Sequence, residues 1–170
     1  AHSRGANQAM VYAVENIDPE IRQLVFLAPG TVMDSKELFE GRFDKESFLK
    51  VINRAESLIS QKKAREIMEN TDFMYCPQAP VSAQSFKSYF ADKDTFRNFP
   101  SFLPRISVPA LIITGTADER QPNIAKHVEP YVDGKMVQLK EVGGAGHFFR
   151  DFNIEDAMDL AVEFISEKQS

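Results

Sequence analysis

Ala1-His2-Ser3-Arg4-Gly5 is the stretch that decides the predicted fold, because it places a serine between two small residues at the start of a helical pattern. From Gly5 onward, apolar residues recur at spacings of three and four, which indicates one face of an α-helix that ends near Asp18-Pro19. Ser3 therefore lies at a helix N-terminus. It is either a helix cap or, where a base removes its proton, a nucleophile.

Two short apolar runs predict strands that are buried on both faces. The first, Leu24–Ala28, is closed by Pro29-Gly30, and the second, Ala110–Thr114, stops at Gly115. Unbroken apolar strands beside helical patterns are typical of parallel sheets, so the predicted fold class is α/β. The segment between the two strands far exceeds the roughly dozen residues that a parallel crossover needs, which predicts an inserted subdomain.

We expect a core formed by residues 1–31 and 104–170 and an insertion at 32–103. Nine of the chain's 14 Phe lie in the insertion, where acidic and basic residues balance, so the net charge of -5 lies in the flanking parts. We interpret this shift in composition as a helical cap or lid. Its Phe residues are expected to pack a small core of their own; lining an apolar pocket is the alternative.

Several helices and one further strand are predicted outside the two buried strands. Within the insertion, Asp44 is suited to cap a helix whose apolar face runs from Phe48 to Ile59, and shorter helical patterns cover 82–91 and 95–103. After the second strand, a helix is expected at 124–131, and an edge strand with one solvent-exposed face is expected at Met136–Val142. The last helix is expected to start at a cap, Asn153, and to turn inward Ile154, Ala157, Met158, Ala161, Phe164 and Ile165.

The chain has three histidines from which a general base for Ser3 can come. His2 is adjacent to Ser3 and poorly placed to approach its hydroxyl, and His127 lies on an ordinary helical pattern. His147 ends the glycine-rich loop Gly143–His147, directly after a strand, where a side chain can project over the end of a sheet. We expect His147 to be the base, with a structural role in the loop as the alternative.

Asp118 is the expected acid. It ends the segment Gly115-Thr116-Ala117-Asp118 just beyond a buried strand, and catalytic groups of open α/β sheets gather at that edge. The alternative is an ordinary turn residue. The neighbouring Glu119 is interpreted as a solvated side chain.

These three motifs, in this order, resemble those of the α/β hydrolases with a serine nucleophile. The elbow Ala1-His2-Ser3-Arg4-Gly5 departs from the usual pattern only at Ala1, which stands where glycine is common. The separation of 29 residues between Asp118 and His147 also suits the family. The resemblance covers the whole chain but only the C-terminal portion of the family's fold, and it implies that an N-terminal half with further strands completes the sheet.

The resemblance implies a serine hydrolase related to carboxylesterases, lipases and thioesterases, with a catalytic triad of Ser3, His147 and Asp118. The backbone N–H of Arg4 would donate to the oxyanion. The implied substrate is a small ester-like molecule with an apolar part, and neither a cofactor nor a metal is required. Two alternatives remain: a non-catalytic protein that binds a small molecule, and a fragment that is inactive without its N-terminal half.

Composition excludes other classes of function. A net charge of -5 argues against nucleic acid and anionic membranes as partners, and no apolar run approaches the about 18–20 residues of a membrane span. The single cysteine, Cys76, forms no internal disulfide, is expected to be buried or incidental, and suits a reducing compartment such as the cytoplasm. The run Gly143–Gly146 does not lead from a strand into a helix, so a dinucleotide site is not expected.

Overall fold

The computed structural model describes residues 1–16, 18–31, 44–73, 76–90 and 98–167. The chain separates into two compact units, Ala1–Val32 with Phe96–Ser170, and Met33–Thr95. The first unit contains α1 (Arg4–Glu15), β1 (Leu24–Leu27), a 3₁₀ helix (Phe99–Arg105), β4 (Ala110–Gly115), α4 (Ile124–Val128), a short 3₁₀ turn (Glu129–Tyr131), β5 (Val137–Val142) and α5 (Asn153–Ser166). The second contains α2 (Lys45–Ser60), β2 (Ile67–Phe73), β3 (Cys76–Ser82) and α3 (Ala83–Phe90).

The sheet of the first unit is parallel and has the order β1, β4, β5. The central strand β4 is buried along its whole length and pairs with both neighbours, Ala110 lying opposite Leu24 on one side and Val137 on the other. The two predicted apolar strands are therefore neighbours in one parallel sheet. Because parallel strands all end at one edge, the segments that follow β1, β4 and β5 emerge together.

The first residues of the chain continue this pairing beyond β1. The N–H of Leu27 donates to the carbonyl oxygen of Ala1, and the N–H of Ser3 donates to that of Leu27, both at 2.8 Å. His2 forms a parallel bridge with Leu27. Ala1 to Ser3 thus lie along β1 as a strand would, and α1 begins at the next residue.

Alternate residues of β4 pack on opposite faces of the sheet. Ala110 and Ile112 join a cluster with Met10 of α1 and with apolar residues of the 3₁₀ helix. Leu111 and Ile113 join a second cluster with residues of α5. Helices therefore cover both faces, as expected for a parallel sheet. Because the residues of the 3₁₀ helix pack in this unit, the described residues from 98 to 103 lie with the core and not with the predicted insertion.

The second unit has an aromatic core of its own. Phe86 and Phe90 of α3 pack against Phe48 of α2 and Phe73 of β2, with ring centroids 4.8 to 6.2 Å apart. Asp44 caps α2 as predicted, because its carboxylate accepts the N–H of Ser47 at 2.8 Å. The described Phe residues of this unit thus pack with one another, as the sequence predicts.

The insertion is not wholly helical, and this corrects the prediction. β2 and β3 form an antiparallel pair with irregular register. Their residues do not alternate between apolar and polar, and Pro77 and Pro80 lie in β3, so the usual signals of a strand are missing. A two-stranded ribbon has two open edges, where a residue without an N–H is tolerated. Cys76, expected to be buried or incidental, is exposed at the start of β3.

The last helix is also corrected in two respects. Asn153 is its first helical residue and does not cap it; Phe152 precedes it without a side-chain cap bond. Of the predicted inward face, Ala157, Ala161 and Phe164 are buried, whereas Ile154, Met158 and Ile165 are 41%, 47% and 57% exposed. The spacing of apolar residues in the sequence includes both the buried and the exposed set. Only the packing of α5 on the sheet decides which of them are buried. The predicted helical patterns at 91 and 95–97 lie outside the described residues, as does Ile17 near the end of the first predicted helix.

Replacement of Gly115 by alanine is expected to destabilise the first unit. A Cβ at Gly115 would overlap the carbonyl oxygen of Ala145 and lie 2.8 Å from its carbonyl carbon, so the loop that leads to His147 would have to move. We expect Gly115→Ala to lower the free energy of unfolding by about 1–3 kcal/mol, measured by urea denaturation. Gly143→Ala is the matched control, because nothing lies within 4 Å of the position that its methyl group would occupy; equal stability of the two variants would contradict the prediction.

Candidate active site

Ser3 sits in a tight turn between the pairing with β1 and helix α1. Its backbone has φ 53° and ψ -127°, a left-handed conformation that a non-glycine residue adopts at a cost. Its side chain makes no cap bond with α1. Instead, Oγ lies 2.8 Å from Nε2 of His147, so the helix-cap alternative does not describe its hydroxyl.

His147 lies in the loop between β5 and α5 and reaches two partners. Its Nε2 contacts Ser3 Oγ, and its Nδ1 lies 2.8 Å from Oδ2 of Asp118. The imidazole is 5% exposed and Asp118 is 3% exposed. The structure thus brings together all three residues that the sequence analysis singles out, although 144 positions separate Ser3 from His147.

Asp118 follows β4 and is held by backbone donors as well as by His147. Its Oδ1 accepts the N–H groups of Arg120 and Gln121 at 2.8 and 2.9 Å. Burial raises the pKa of Asp118, but the hydrogen bonds from His147 and from the two backbone N–H groups together outweigh it, so the pKa lies below its ordinary value. The carboxylate is therefore ionised at neutral pH.

The charge of Asp118 determines which atoms carry protons. An ionised carboxylate only accepts, so Nδ1 of His147 must be the donor in that bond. In the neutral imidazole, Nε2 then carries no proton and accepts from the hydroxyl of Ser3. The arrangement is able to take a proton from a serine and to stabilise the imidazolium that results.

Hydrogen bonds join the two loops that carry Asp118 and His147. The bonded residues precede Asp118 in one loop and His147 in the other. Thr116 Oγ1 accepts the N–H of Gly144 at 2.8 Å, and the N–H of Ala117 donates to the carbonyl oxygen of Ala145 at 2.9 Å. These bonds join the end of β4 to the end of β5. The distance between acid and base is therefore set by the sheet.

Two amide side chains tie the loop after β1 to helix α1 and to the segment that follows Asp118. Buried Asn7 of α1 accepts the N–H of Gly30 at 2.7 Å and donates to its carbonyl oxygen at 2.8 Å. Gln121 accepts the N–H of Thr31 at 3.0 Å. Sequence reasoning missed both. Asn7 carried a signal, since it adjoins Ala6 on the apolar face of α1, whereas nothing in the sequence marks Gln121.

The other sequence candidates lie in varied positions. Arg4 is the first residue of α1, so its N–H belongs to the helix N-terminus beside Ser3; its role as oxyanion donor stays a prediction. His127 is exposed on α4 and Glu119 is exposed beside Asp118. His2 does not approach the hydroxyl of Ser3, and its Nε2 instead lies 2.7 Å from the carbonyl oxygen of His147.

A pocket of about 330 Å³ adjoins His147. Its lining carries both signs of charge, from Glu119, Arg120, Arg150 and Asp151. The exposed ring of Phe148 lies in it, with the guanidinium carbons of Arg120 and Arg150 at 4.8 and 5.5 Å from the ring centroid. An aromatic ring with two cationic neighbours thus lies next to His147.

Two features are absent from the described ranges. No group of three or more His, Cys, Asp and Glu side chains within these ranges is arranged to hold a metal ion. Among the described helices, none combines the length and the apolar character that a bilayer span requires.

A parallel sheet whose strand–turn–helix elbow presents a serine, with an acid after one strand and a histidine after the next, is the arrangement of the α/β-hydrolase fold. No family model and no curated protein matches the sequence.

Three solved structures are similar to this chain. The monoacylglycerol lipase of Paleococcus ferrophilus has 18% identity and a TM-score of 0.58, over 97% of this chain and 66% of that one. Est1E from Butyrivibrio proteoclasticus, with ferulic acid bound, has 18% identity and a TM-score of 0.58, over 98% and 58%. The α/β hydrolase MGS-MChE2, from the metagenome of lagoon sediments of Mar Chica, Morocco, has 16% identity and a TM-score of 0.53, over 98% and 59%.

These similarities show that the chain has the α/β-hydrolase fold. The matches leave no large part of this chain uncovered, yet the chain spans less than two thirds of each of these structures.

The stability contributed by Asp118 is expected to depend on pH. Because its pKa is lower in the folded than in the unfolded protein, its contribution is fully present above the unfolded value of about 3.9 and is lost as pH falls through the lowered folded value. Asp118→Asn should therefore be less stable than the parent at pH 7, and this difference should narrow below about pH 4. Urea denaturation of both proteins between pH 7 and 3 measures it; a constant or widening difference would contradict the assignment.

Proposed function

We propose that the protein is a serine hydrolase that cleaves a carboxylic ester or a related acyl bond through an acyl-enzyme. The observation that carries the proposal is the continuous chain of hydrogen bonds from Ser3 through His147 to Asp118, with both bonds at 2.8 Å. The lowered pKa of Asp118 and the strained turn at Ser3 support it, because both are features expected of a working nucleophile site.

In the proposed reaction, Oγ of Ser3 attacks the carbonyl carbon of the substrate while Nε2 of His147 takes the hydroxyl proton. The carboxylate of Asp118 stabilises the imidazolium, and the backbone N–H of Arg4 donates to the oxyanion of the tetrahedral intermediate. Collapse breaks the bond to the alcohol, which leaves with the proton from His147. Water then attacks the acyl-enzyme with the same base, releasing the acid and restoring Ser3.

The proposed substrate carries an apolar or aromatic part. The described Phe148 offers an aromatic surface beside His147, and the similar structures include a monoacylglycerol lipase and a protein that binds ferulic acid. We propose that the unit Met33–Thr95, which is inserted in the chain between β1 and β4, acts as a cap that controls entry. Its position in the chain and its separate core support this proposal.

The proposed activity is that of the whole protein. Because the chain spans only 58–66% of the compared structures, we propose that a further N-terminal part completes the sheet and supplies a second donor to the oxyanion. Location in the cytoplasm stays a prediction from the single exposed cysteine.

Ser3→Ala and His147→Ala in the full-length protein are each expected to lower kcat for p-nitrophenyl butyrate by on the order of 10⁴-fold or more, because the members of a triad act as a unit. The fold should persist, as judged by circular dichroism. Ser101→Ala and His127→Ala are the matched controls, since both side chains are exposed and lie outside the site. Near-parental turnover in either site variant would overturn the assignment.

A non-catalytic protein that only binds a small molecule is the rival function, and covalent labelling separates the two. A fluorophosphonate reacts with an activated serine, so we expect stoichiometric labelling of Ser3, located by mass spectrometry, and none in His147→Ala. Absence of labelling together with absence of turnover of short-chain p-nitrophenyl esters would favour the rival.

A further inference from the structure

His2 lies next to the proposed nucleophile in sequence but contacts the proposed base. Its Nε2 is 2.7 Å from the carbonyl oxygen of His147, across 145 positions of the chain. A carbonyl oxygen only accepts, so Nε2 of His2 must carry the proton and donate it. The His2 ring therefore has a defined donor and a defined target, unlike an exposed histidine that contacts only solvent.

We propose that His2 is a positioning residue for the base. Its hydrogen bond holds the backbone of His147 against the turn that contains His2 and Ser3. The inference rests on the function proposed above. His147 is then held at two points by the same turn: Ser3 contacts its imidazole and His2 contacts its carbonyl group. Together the two bonds link the adjacent residues His2 and Ser3 to the single residue His147.

The loop between β5 and α5, which carries His147, has a structural reason to require such a bond. Besides the bond between the His147 and Asp118 side chains, it bonds to the loop that carries Asp118 through Gly144 and Ala145, which precede His147. Beyond His147 the backbone turns sharply, with Phe149 at φ 46° and Asp151 at φ 56°, conformations that side-chain-bearing residues rarely adopt. The bond from His2 acts at His147 itself, between the secured part of the loop and the strained part.

The surroundings of His2 show that its side chain is not part of the described core. The residue is exposed, and it contacts the rings of His147 and Phe148 with centroids 5.2 and 5.8 Å away. A substitution therefore leaves the described core untouched but changes the donor and both ring contacts. Variants that differ only in the donor are needed to distinguish the two.

Glutamine, asparagine and methionine provide these variants. The amide nitrogen of Gln is the same number of bonds from Cα as Nε2 of histidine, that of Asn is one bond short, and Met has similar length without a donor. With p-nitrophenyl butyrate and the full-length protein, we expect His2→Met and His2→Asn to lower kcat about tenfold, the effect of one net hydrogen bond on the geometry of the base, with KM within about twofold. His2→Gln should recover kcat to within about threefold of the parent.

The second measurement needs no turnover. The proton between Nδ1 of His147 and Oδ2 of Asp118 is expected to give a low-field ¹H NMR resonance in the parent protein. If His2 positions the base, this resonance broadens or shifts in His2→Met and His2→Asn and is restored in His2→Gln. Should His2→Met fail to fold, the amide pair alone decides.

Three results would overturn the proposal: unchanged kcat and unchanged resonance in His2→Asn, an equal loss in His2→Gln and His2→Asn, or a rise in KM without a fall in kcat. The second would mean that the ring matters and the donor does not. Failure of the proposed function is distinguishable, because the parent would then hydrolyse no ester and resist fluorophosphonate, while the resonance would still report on His2.

Discussion

The parallel pairing of β4 with both β1 and β5 is the constraint on which the site depends. All six residues of β4 are buried, and its neighbours run in the same direction, so the loops that follow the strands leave the sheet side by side. Gly115, the last residue of β4, approaches Ala145 too closely for any side chain to fit between them. Nδ1 of His147 and Oδ2 of Asp118 therefore lie 2.8 Å apart because the ends of β4 and β5, which their loops follow, are adjacent.

The turn at Ser3 is a strained part of this arrangement, and its neighbours hold it in place. A left-handed conformation at Ser3 costs roughly 1–3 kcal/mol, which the pairing of Ala1 and Ser3 with Leu27 and the start of α1 must offset. In this conformation, Oγ of Ser3 makes no cap bond with α1 and lies against His147. The side chain of Asn7 donates to Gly30, and those of Thr116 and Gln121 accept backbone N–H groups of Gly144 and Thr31, so the loops around the three site side chains are held in place.

Much of the secondary structure could be predicted because its signals are local. Leu24–Ala28 and Ala110–Thr114 are unbroken apolar runs bounded by glycine or proline, and Asp44 carries the side chain that a helix start needs. The β2–β3 pair could not, since Pro77 and Pro80 argue against a strand and its residues do not alternate. The inward face of α5 was predicted too wide for a related reason: spacing marks the apolar residues of a helix, but not the part of them that a sheet covers.

The order of residues determines which side chains are available: a serine at a helix start, an acid after one buried strand and a histidine after the next, with the α/β class that the strands imply. These follow from patterns a few residues long, and so they can be read along the chain. The hydrogen bonds of His147 with Ser3, Asp118 and His2 join residues up to 145 positions apart. Only the packed sheet brings these residues together, because spacing along a chain carries no information on which distant backbone groups a side chain will meet.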